Sequence, residues 1–356
     1  MESDVRSAFA RACGLAVDRK ADLVLIPGDL FDYETVDRDT AAFVARTLQA
    51  IAPIPVLIAP GNHDSLRPRS PYFGDWPSNV HIFTTPEFQT VGLPSLDCSV
   101  TGIAHVHRGI TSRALAGTIA HGGGSVRLLL FHGSRDGHKP SDKETVIPFS
   151  DQELISQGFT YAAIGHYHSF SPIDDGGCVR GAYSGCPQGR GLDETGEKCV
   201  LLGEVDARGH VEIEKVEVAE RRIVRVDVDV TGSRDEEDVF VRIDDSLGGV
   251  ARQNDVVSVF LKGMLPPGMS IDAVRWQSRQ TYHSASLITS GVEPDYDLDA
   301  LSRDSAAASL KSTFVRKMLE KQDSAESEEQ RRMLQEAIYY GLYALDRRRL
   351  EPRDAD

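Results

Sequence analysis

The chain has 356 residues, of which 40% are hydrophobic, and a formal net charge of −15. This length predicts about two domains, and no apolar stretch reaches the roughly 18 residues that a membrane-spanning helix needs. The acidic charge argues against tight nonspecific binding to DNA, because such binding depends on cations that neutralise phosphates. It does not exclude a nuclease, since bound metal ions would supply positive charge of their own. The five cysteines include no C-x-x-C pair, which predicts a cytoplasmic protein with reduced thiols.

Helices and strands alternate through the first half of the sequence. Apolar residues recur at helical spacing over residues 4–19 and again over residues 39–51, where Pro53 and Pro55 end the second helix. Short, β-branched apolar runs are typical of buried parallel strands. Such runs occupy residues 23–27, 55–59, 126–131 and 161–164. Short alternating segments between residues 80 and 130, with a hairpin over residues 199–218, predict a second sheet.

Each of these buried strands ends beside polar side chains that suit metal binding. They are Asp29, the triplet Asn62, His63 and Asp64, then His132, and finally His166 and His168. A polar turn explains any one of them, because Gly-Asn and Asp-Ser are common turn formers. Their recurrence at four strand ends indicates a constructed site at the edge where open α/β sheets bind ligands. Five of these residues, Asp29, Asn62, His132, His166 and His168, supply one carboxylate, one amide oxygen and three imidazoles. This set fits a borderline transition metal better than Ca²⁺, Mg²⁺ or an all-thiolate zinc site.

Two other groups of polar residues allow more than one interpretation. His105 and His107 lie two residues apart, but on a strand they would share one face without a carboxylate nearby, so we favour a structural role. The loop over residues 66–76 contains Arg67 and Arg69 together with aromatic residues. It is either a surface loop or a substrate contact in which arginines bind phosphate and aromatic rings stack on bases.

The pattern changes after about residue 220. A cleanly alternating strand over residues 223–230, a helix over 235–247 and strands over 256–262 and 271–277 predict a small α+β region. Two helices follow, over residues 298–321 and 327–349. The cluster Arg347-Arg348-Arg349 suits a helix C-terminus electrostatically and can also bind phosphate. We therefore expect three parts: residues 1–220, 221–295 and 296–356.

The motifs resemble a known family. Gly28–Asp32 (GDLFD), Gly61–Ser65 (GNHDS), His132–Ser134 (HGS) and Gly165–His168 (GHYH), in this order, are similar to the calcineurin-like metallophosphoesterases. The resemblance implies an α/β fold of the four-layer α/β/β/α type, with a capping region over residues 221–295 and C-terminal helices. Three further stretches are similar to the SbcD/YhaO-like DNA-repair exonucleases. They are residues 148–150, 183–190 and 194–198.

The resemblance also implies roles for single residues. Asp29 would bridge two divalent ions, of which Mn²⁺ is the first choice and Fe²⁺, Zn²⁺ and Ni²⁺ are alternatives. Asn62, His132 and His166 would complete one ion, and His168 would bind the other. His63 would act as a general acid or as a hydrogen-bond donor to the phosphate, with Asp64 orienting its ring.

One family motif has no counterpart in the sequence. The family opens with a strand carrying Asp-x-His, and no Asp-x-His precedes Asp29. We therefore expect an incomplete second metal site, which a misassigned start, a fragment or a true loss would each explain.

This departure leaves three functions open. The first is a DNA exonuclease that acts in repair. The second is a phosphodiesterase or phosphatase for small substrates. The third is a catalytically impaired scaffold for a coiled-coil ATPase. DNA, an SMC-type ATPase and a second copy of the chain are the partners that the resemblance implies.

Overall fold

The computed structural model describes residues 2–32, 36–106, 109–117, 120, 122–138, 144–206, 208–303 and 309–347. His107, Arg348 and Arg349 lie outside these ranges. The chain divides into two compact units, residues 1–222 and 223–356. The first division lies within two residues of the expected one, whereas the expected boundary at residues 295 and 296 stays a prediction. Among the described residues, no helix is both long and apolar enough to cross a membrane.

The first unit alternates helices with short strands. Its helices are α1 (Glu2–Asp18), α2 (Arg38–Ala50) and α3 (Asp151–Ser156). Its strands are β1 (Val24–Ile26), β2 (Val56–Ile58), β3 (Val80–Ile82), β4 (Gln89–Leu93), β5 (Cys98–Gly102), β6 (Val126–His132), β7 (Tyr161–Gly165), β8 (Ser171–Asp175), β9 (Cys178–Tyr183), β10 (Cys199–Val205) and β11 (Val211–Glu217). Side chains cap the helix starts: Asp37 accepts from the Thr40 N–H at α2, and Ser150 forms a capping box with Glu153 at α3.

In the described part of this unit, the strands form two sheets and a hairpin. Strands β1, β2 and β3 make a parallel sheet in that order. The larger sheet has the order β4-β5-β6-β7-β9-β8 and is parallel from β5 through β6 and β7 to β9. Strands β10 and β11 pair as an antiparallel hairpin, as the sequence predicts for residues 199–218.

Strand β6 shows why the two sheets stack. Leu128 and Leu130 face a core that also contains residues of α1, α2 and the smaller sheet. Leu129 and Phe131 face the opposite side and pack in a second core with Leu154 of α3. Because side chains alternate across a strand, both faces of the larger sheet are covered. The order is helices, small sheet, large sheet and helix, and the mixed α/β class expected from the sequence is confirmed.

The second unit begins with a parallel sheet of the order β12 (Ile223–Asp229), β13 (Val256–Leu265) and β14 (Ser284–Pro294). Helices α4 (Glu236–Leu247) and α5 (Ala273–Ser278) supply Phe240 and Trp276 to its core. Three further helices follow: α6 (Leu298–Arg303), α7 (Leu310–Asp323) and α8 (Glu328–Arg347).

The strand expected over residues 271–277 is wrong. Residues 273–278 form helix α5, and the Asp272 side chain accepts a hydrogen bond from the Arg275 N–H at its start. Trp276 is fully buried while Val274 is 72% exposed. An N-cap and a single buried aromatic residue therefore outweigh the weak alternation of apolar residues in this stretch.

A buried ion pair joins the two ends of the first unit. Arg221 holds both carboxylate oxygens of Asp4, at 2.9 Å from Nε and 3.0 Å from the second guanidinium nitrogen. Asp4 lies on α1, and Arg221 follows β11 just before the boundary between the units. This pair anchors the last segment of the first unit to its first helix.

Candidate metal centre

The carboxyl ends of parallel strands in two sheets position the candidate ligands. Asp29 follows β1 and Asn62 follows β2, while His132 is the last residue of β6 and His166 comes directly after β7. Since β1 pairs with β2 and β6 with β7, each sheet contributes two neighbouring strand ends. The oxygen and nitrogen atoms of Asp29, His132 and His166 that can bind a metal lie within 4.8 Å of one another.

Glycines allow the strand ends to approach this closely. A Cβ atom on Gly61 would lie 2.2 Å from Asp29 Oδ1, and one on Gly165 would lie 1.8 Å from the Pro27 carbonyl oxygen. Only glycine fits at such contacts. Two ligands also have unusual backbone angles, with φ of 50° at Asp29 and 116° at His166. Positive φ at non-glycine residues costs on the order of 1–3 kcal/mol and is typical of functional sites.

Three side-chain atoms that can bind a metal lie close to the Nε2 atom of His132. The amide oxygen of Asn62 lies 3.0 Å from this atom, Asp29 Oδ2 lies 3.2 Å away, and Nδ1 of His166 lies 3.2 Å away. His132 Nδ1 is 2.9 Å from the Pro27 carbonyl oxygen, and His166 Nε2 is 2.9 Å from the Glu144 carbonyl oxygen.

These backbone contacts decide which nitrogen carries the proton. Each imidazole donates an N–H to a carbonyl, so in the neutral ring the other nitrogen, Nε2 in His132 and Nδ1 in His166, carries a lone pair. Four acceptor atoms that face one another repel unless a cation lies among them. Metal-binding histidines characteristically donate their second N–H to a backbone carbonyl or a carboxylate. The residues present therefore fit a divalent transition metal.

The electrostatics favour a positive charge at this point. Burial would raise the pKa of Asp29, but the positive charge of His132 and the hydrogen bonds from His132 and the His63 N–H lower it below its usual value. Burial would lower the pKa of His132, but the nearby Asp29 carboxylate raises it. Each group stabilises the charged form of the other, so the pocket binds a cation, whether a proton or a metal ion.

Asp64 has a different role from the one expected. Its carboxylate is 1% exposed and accepts hydrogen bonds from the backbone N–H groups of Asp29, Phe31 and Gly61, at 3.2, 3.2 and 2.6 Å. The Tyr72 hydroxyl donates a further bond of 2.5 Å. Burial and the neighbouring Asp29 charge raise the pKa of Asp64. The carboxylate thus holds the loops after β1 and β2 together, and the expectation that it orients the His63 ring is wrong.

His63 lies beside the ligands with its ring in solvent. Its backbone N–H donates to Asp29 Oδ1 at 3.0 Å, and its side chain is 46% exposed. The acidic group beside its ring is Asp32, whose Oδ1 is 4.0 Å from Nδ1. Asp32 is the last residue of the Gly28–Asp32 motif. The motif drew attention to this segment, but the sequence did not predict the contact of Asp32 with His63.

His168 has its own partners. Its Nδ1 lies 2.6 Å from Glu194 Oε1, and His168, Cys186 and Glu194 form a second group of potential metal-binding atoms. Sequence reasoning missed Glu194 as a site residue, although it begins one of the stretches that carry the family resemblance. The available signal was a carboxylate within the 194–198 stretch. Its contact with His168 depends on the course of the loop that carries Glu194, which the sequence does not reveal.

The remaining candidates are less directly involved. Arg67 is half-buried and donates from Nε to the Ser65 hydroxyl at 3.1 Å, and Arg69 is exposed with φ of 77°. Tyr72 is occupied by Asp64 and stacks on Trp76 at 5.9 Å between ring centres, so these two rings support the loop. Both ring nitrogens of His105 contact backbone groups, at His132 and Ile110, which fits the structural role that we favoured.

Comparison with known proteins agrees with this geometry. The family model of the calcineurin-like phosphoesterase matches residues 3–175. The chain is 26% identical over 260 residues to the uncharacterized metallophosphoesterase YhaO of Bacillus subtilis (strain 168). This alignment covers 70% of the chain but only 62% of YhaO, less than two thirds of that protein. The matched segment contains Asp29, Asn62 and the three histidines predicted to bind metal, so the part of the chain that carries these residues is similar to the calcineurin-like phosphoesterases.

Proposed function

We propose that this domain hydrolyses phosphodiester bonds with bound divalent metal ions, and that DNA ends are its substrate. The observation that carries the proposal is the convergence of three acceptor atoms on His132 Nε2, with the exposed His63 ring beside them. Asp29, Asn62, His132 and His166 would hold one ion. Asp29 and His168 would contribute to a second, so Asp29 would be shared.

The chemistry divides between the ions and the protein. Divalent ions at such a site supply Lewis-acid charge that activates water and balances the negative charge of the phosphate. His63 holds a proton near the phosphate and delivers it to the leaving oxygen. The Asp32 carboxylate, with Oδ1 4.0 Å from Nδ1, is the acidic partner of the His63 ring. Asp64, held by Tyr72, fixes the position of Asp29 relative to the loop that carries His63.

The donor set favours Mn²⁺ as the first choice. Mixed carboxylate, amide and imidazole ligands suit borderline divalent metals, and Fe²⁺, Zn²⁺ and Ni²⁺ bind similar sets. Metal analysis of the purified protein, beside Asp29→Ala and His132→Ala, tests the assignment. We expect both variants to lose bound metal, and equal metal content in all three proteins would contradict it.

A substitution of His63 distinguishes a role in catalysis from a role in metal binding. We expect His63→Gln to keep its metal and to lose about 10²–10⁴ in the rate of hydrolysis of bis(p-nitrophenyl) phosphate, the typical contribution of a general acid. His81→Gln, which removes an exposed histidine from β3, is the control. Loss of metal in His63→Gln would show that His63 is a ligand instead. Absence of turnover in the wild-type protein at saturating Mn²⁺ would favour a scaffold for an ATPase.

Substrate size distinguishes the two hydrolytic functions. The net charge of −15 favours a small phosphodiester, because few cations are available to bind a long phosphate backbone. The exposed Arg69 and the half-buried Arg67, in the loop after the Asn62–Asp64 triplet, favour DNA. Matched assays of linear duplex, closed circular duplex and p-nitrophenyl thymidine monophosphate decide between them. A DNA exonuclease digests the linear duplex and spares the circle, and Arg69→Gln slows only the DNA reaction.

The cellular setting follows from the same proposal. All five cysteines lie in described ranges and are free thiols, which fits a cytoplasmic location. An SMC-type ATPase and a second copy of the chain are the protein partners that we propose for a repair nuclease. Co-purification with the ATPase and light scattering of the isolated protein test these two partners.

A further inference from the structure

The segment over residues 184–198 wraps around His168. The His168 carbonyl oxygen accepts hydrogen bonds from the Cys186 N–H at 3.3 Å and from the buried Lys198 ammonium at 3.3 Å. The His168 ring is held as well, with Nδ1 at 2.6 Å from Glu194 Oε1. One segment therefore fixes both the main chain and the side chain of this histidine.

Glu194 is itself held firmly. It is 6% exposed, and its Oε2 accepts a hydrogen bond of 2.8 Å from the Arg190 N–H. The Arg190 guanidinium donates a second bond of 3.2 Å to Oε1, the same oxygen that faces His168. These hydrogen bonds hold the buried Glu194 carboxylate in a single orientation. The His168 ring, which contacts this carboxylate, is therefore held in a single orientation as well.

Arg190 also reaches the other side of the site. Its second terminal nitrogen lies 2.6 Å from Asp32 Oδ2, and the other oxygen of Asp32 lies 4.0 Å from His63 Nδ1. One guanidinium thus bridges two carboxylates, each of which faces a histidine that the proposed function uses. The planar fork of arginine suits such a bridge, and lysine could not reproduce it.

The same group of atoms raises a second possibility, a separate metal site made of His168, Cys186 and Glu194. The surrounding charges argue against it. Arg190 already occupies both oxygens of Glu194, and the Lys198 ammonium contacts the His168 carbonyl oxygen. These two positive groups, Arg190 and Lys198, repel a further cation beside Glu194. They stabilise the charged Glu194 carboxylate, which remains a hydrogen-bond acceptor for His168.

We propose that Glu194 and Arg190 are positioning residues for the two histidines. The Glu194 carboxylate accepts a hydrogen bond from the Nδ1–H of His168, which leaves the lone pair of the ring on Nε2, the tautomer that binds a metal through Nε2. Arg190 fixes Glu194 and Asp32, and through Asp32 it orients His63. This proposal rests on the proposed function, because it takes His168 as a metal ligand and His63 as a proton donor.

The tautomer of His168 tests the first part directly. Nitrogen NMR of the His168 ring in the full chain without metal, in mildly alkaline buffer, shows which nitrogen carries the proton. The His168→Gln spectrum identifies the resonance. We expect Nδ1–H in the wild-type protein and a shift toward Nε2–H in Glu194→Met. A wild-type His168 that carries Nε2–H would overturn the proposal without any variant.

Metal binding gives the second measurement. We expect Glu194→Met to weaken calorimetric Mn²⁺ binding about 10–100-fold, the usual effect of losing the partner of a metal-binding histidine. Glu197→Met, on the same segment and exposed beside Lys215, is the matched control and should leave affinity and tautomer unchanged. Equal losses in the two variants would mean that the segment acts only by keeping its fold.

A double-mutant comparison tests Arg190. If Arg190 acts on His168 through Glu194, Arg190→Met should weaken Mn²⁺ binding in the wild-type background and change it little in Glu194→Met. Additive effects would contradict the bridge. A wild-type protein that shows the Nδ1–H tautomer and binds Mn²⁺, yet hydrolyses no phosphodiester, would refute the proposed function and leave the role of Glu194 intact.

Discussion

Asp64 is the residue whose structural role differs most from its predicted one. The sequence places it next to His63, and neighbours in sequence are natural candidates for neighbours in a mechanism. The carboxylate instead turns inward, to three backbone N–H groups and the Tyr72 hydroxyl. Residue types at strand ends predict which side chains can reach the site, but not which way each one turns.

The hydroxyl of Tyr72 provides a test of this role. Tyr72→Phe removes one donor to a buried carboxylate, so we expect the free energy of unfolding to fall by about 1.5–3 kcal/mol. Mn²⁺ affinity should fall as well, because Asp64 holds the backbone of Asp29. Denaturant unfolding and calorimetry measure the two effects. Tyr161→Phe, which removes a hydroxyl from β7, is the control, and a larger loss in that variant would contradict the role of Tyr72.

His105 predicts a pH dependence of stability. Burial, together with the nearby charge of His132, lowers its pKa from 6.5 to about 4 in the folded chain. Between these values the unfolded chain binds a proton that the folded chain does not, so stability falls as the pH drops from about 6.5 to about 4.

We expect the difference in unfolding free energy between the wild-type protein and His105→Gln to shrink across this window, by on the order of 3 kcal/mol. Denaturant unfolding at a series of pH values measures it. A difference that stays constant with pH would show that His105 is protonated in the folded protein.

At the scale of elements, the strand ends were predictable and their spacing was not. Apolar runs followed by polar residues located β1, β2, β6 and β7, because buried parallel strands need uninterrupted apolar side chains. The close contact between the loops after β1 and β2 depends on Gly61, whose role appears only when both loops are in place. Helix α5 was missed because a cap at Asp272 decided a segment whose alternation favoured a strand.

The close contact at Gly61 predicts how a substitution there affects metal binding. A methyl group there would lie 2.2 Å from Asp29 Oδ1 and 2.6 Å from the Asp29 backbone nitrogen, so Asp29 must move. Since a binding constellation tolerates a displacement of only about 0.5 Å, we expect Gly61→Ala to weaken Mn²⁺ binding at least about tenfold. Gly92→Ala, whose added Cβ meets nothing within 4 Å, is the control. Unchanged binding in Gly61→Ala would show that the loops adjust.

The whole molecule contains two compact units, and the length of the chain predicted about two domains. The sequence located the boundary near residue 220 because the pattern changes there to a clean alternation. The assignment of the C-terminal helices to a third part has no such local signal. Contacts between distant segments, such as Asp4 with Arg221, were not predictable, because nothing in either segment identifies the other.

That ion pair carries the prediction for the first unit as a whole. Asp4→Asn leaves Arg221 without its bidentate partner, and the Asp4 and Arg221 side chains are only 5% and 12% exposed. We expect the unfolding free energy to fall by on the order of 2 kcal/mol, between the values for exposed and fully buried pairs. The exposed pair of Arg225 with Asp227 is the comparison. Asp227→Asn should cost less than about 1 kcal/mol, and equal losses would contradict the anchoring role.

The same pair has a consequence for the order of events during synthesis. Asp4 and Arg221 are 217 residues apart, so helix α1 leaves the ribosome long before its partner exists. A contact between such distant residues forms late, because the whole intervening chain must first be ordered. The first unit therefore reaches its final stability only after residue 221 has emerged, about 10–40 s after Asp4 for synthesis rates of about 5–20 residues per second. Protease resistance of ribosome-bound chains should rise at that length, and an equal resistance in chains that end before residue 221 would contradict it.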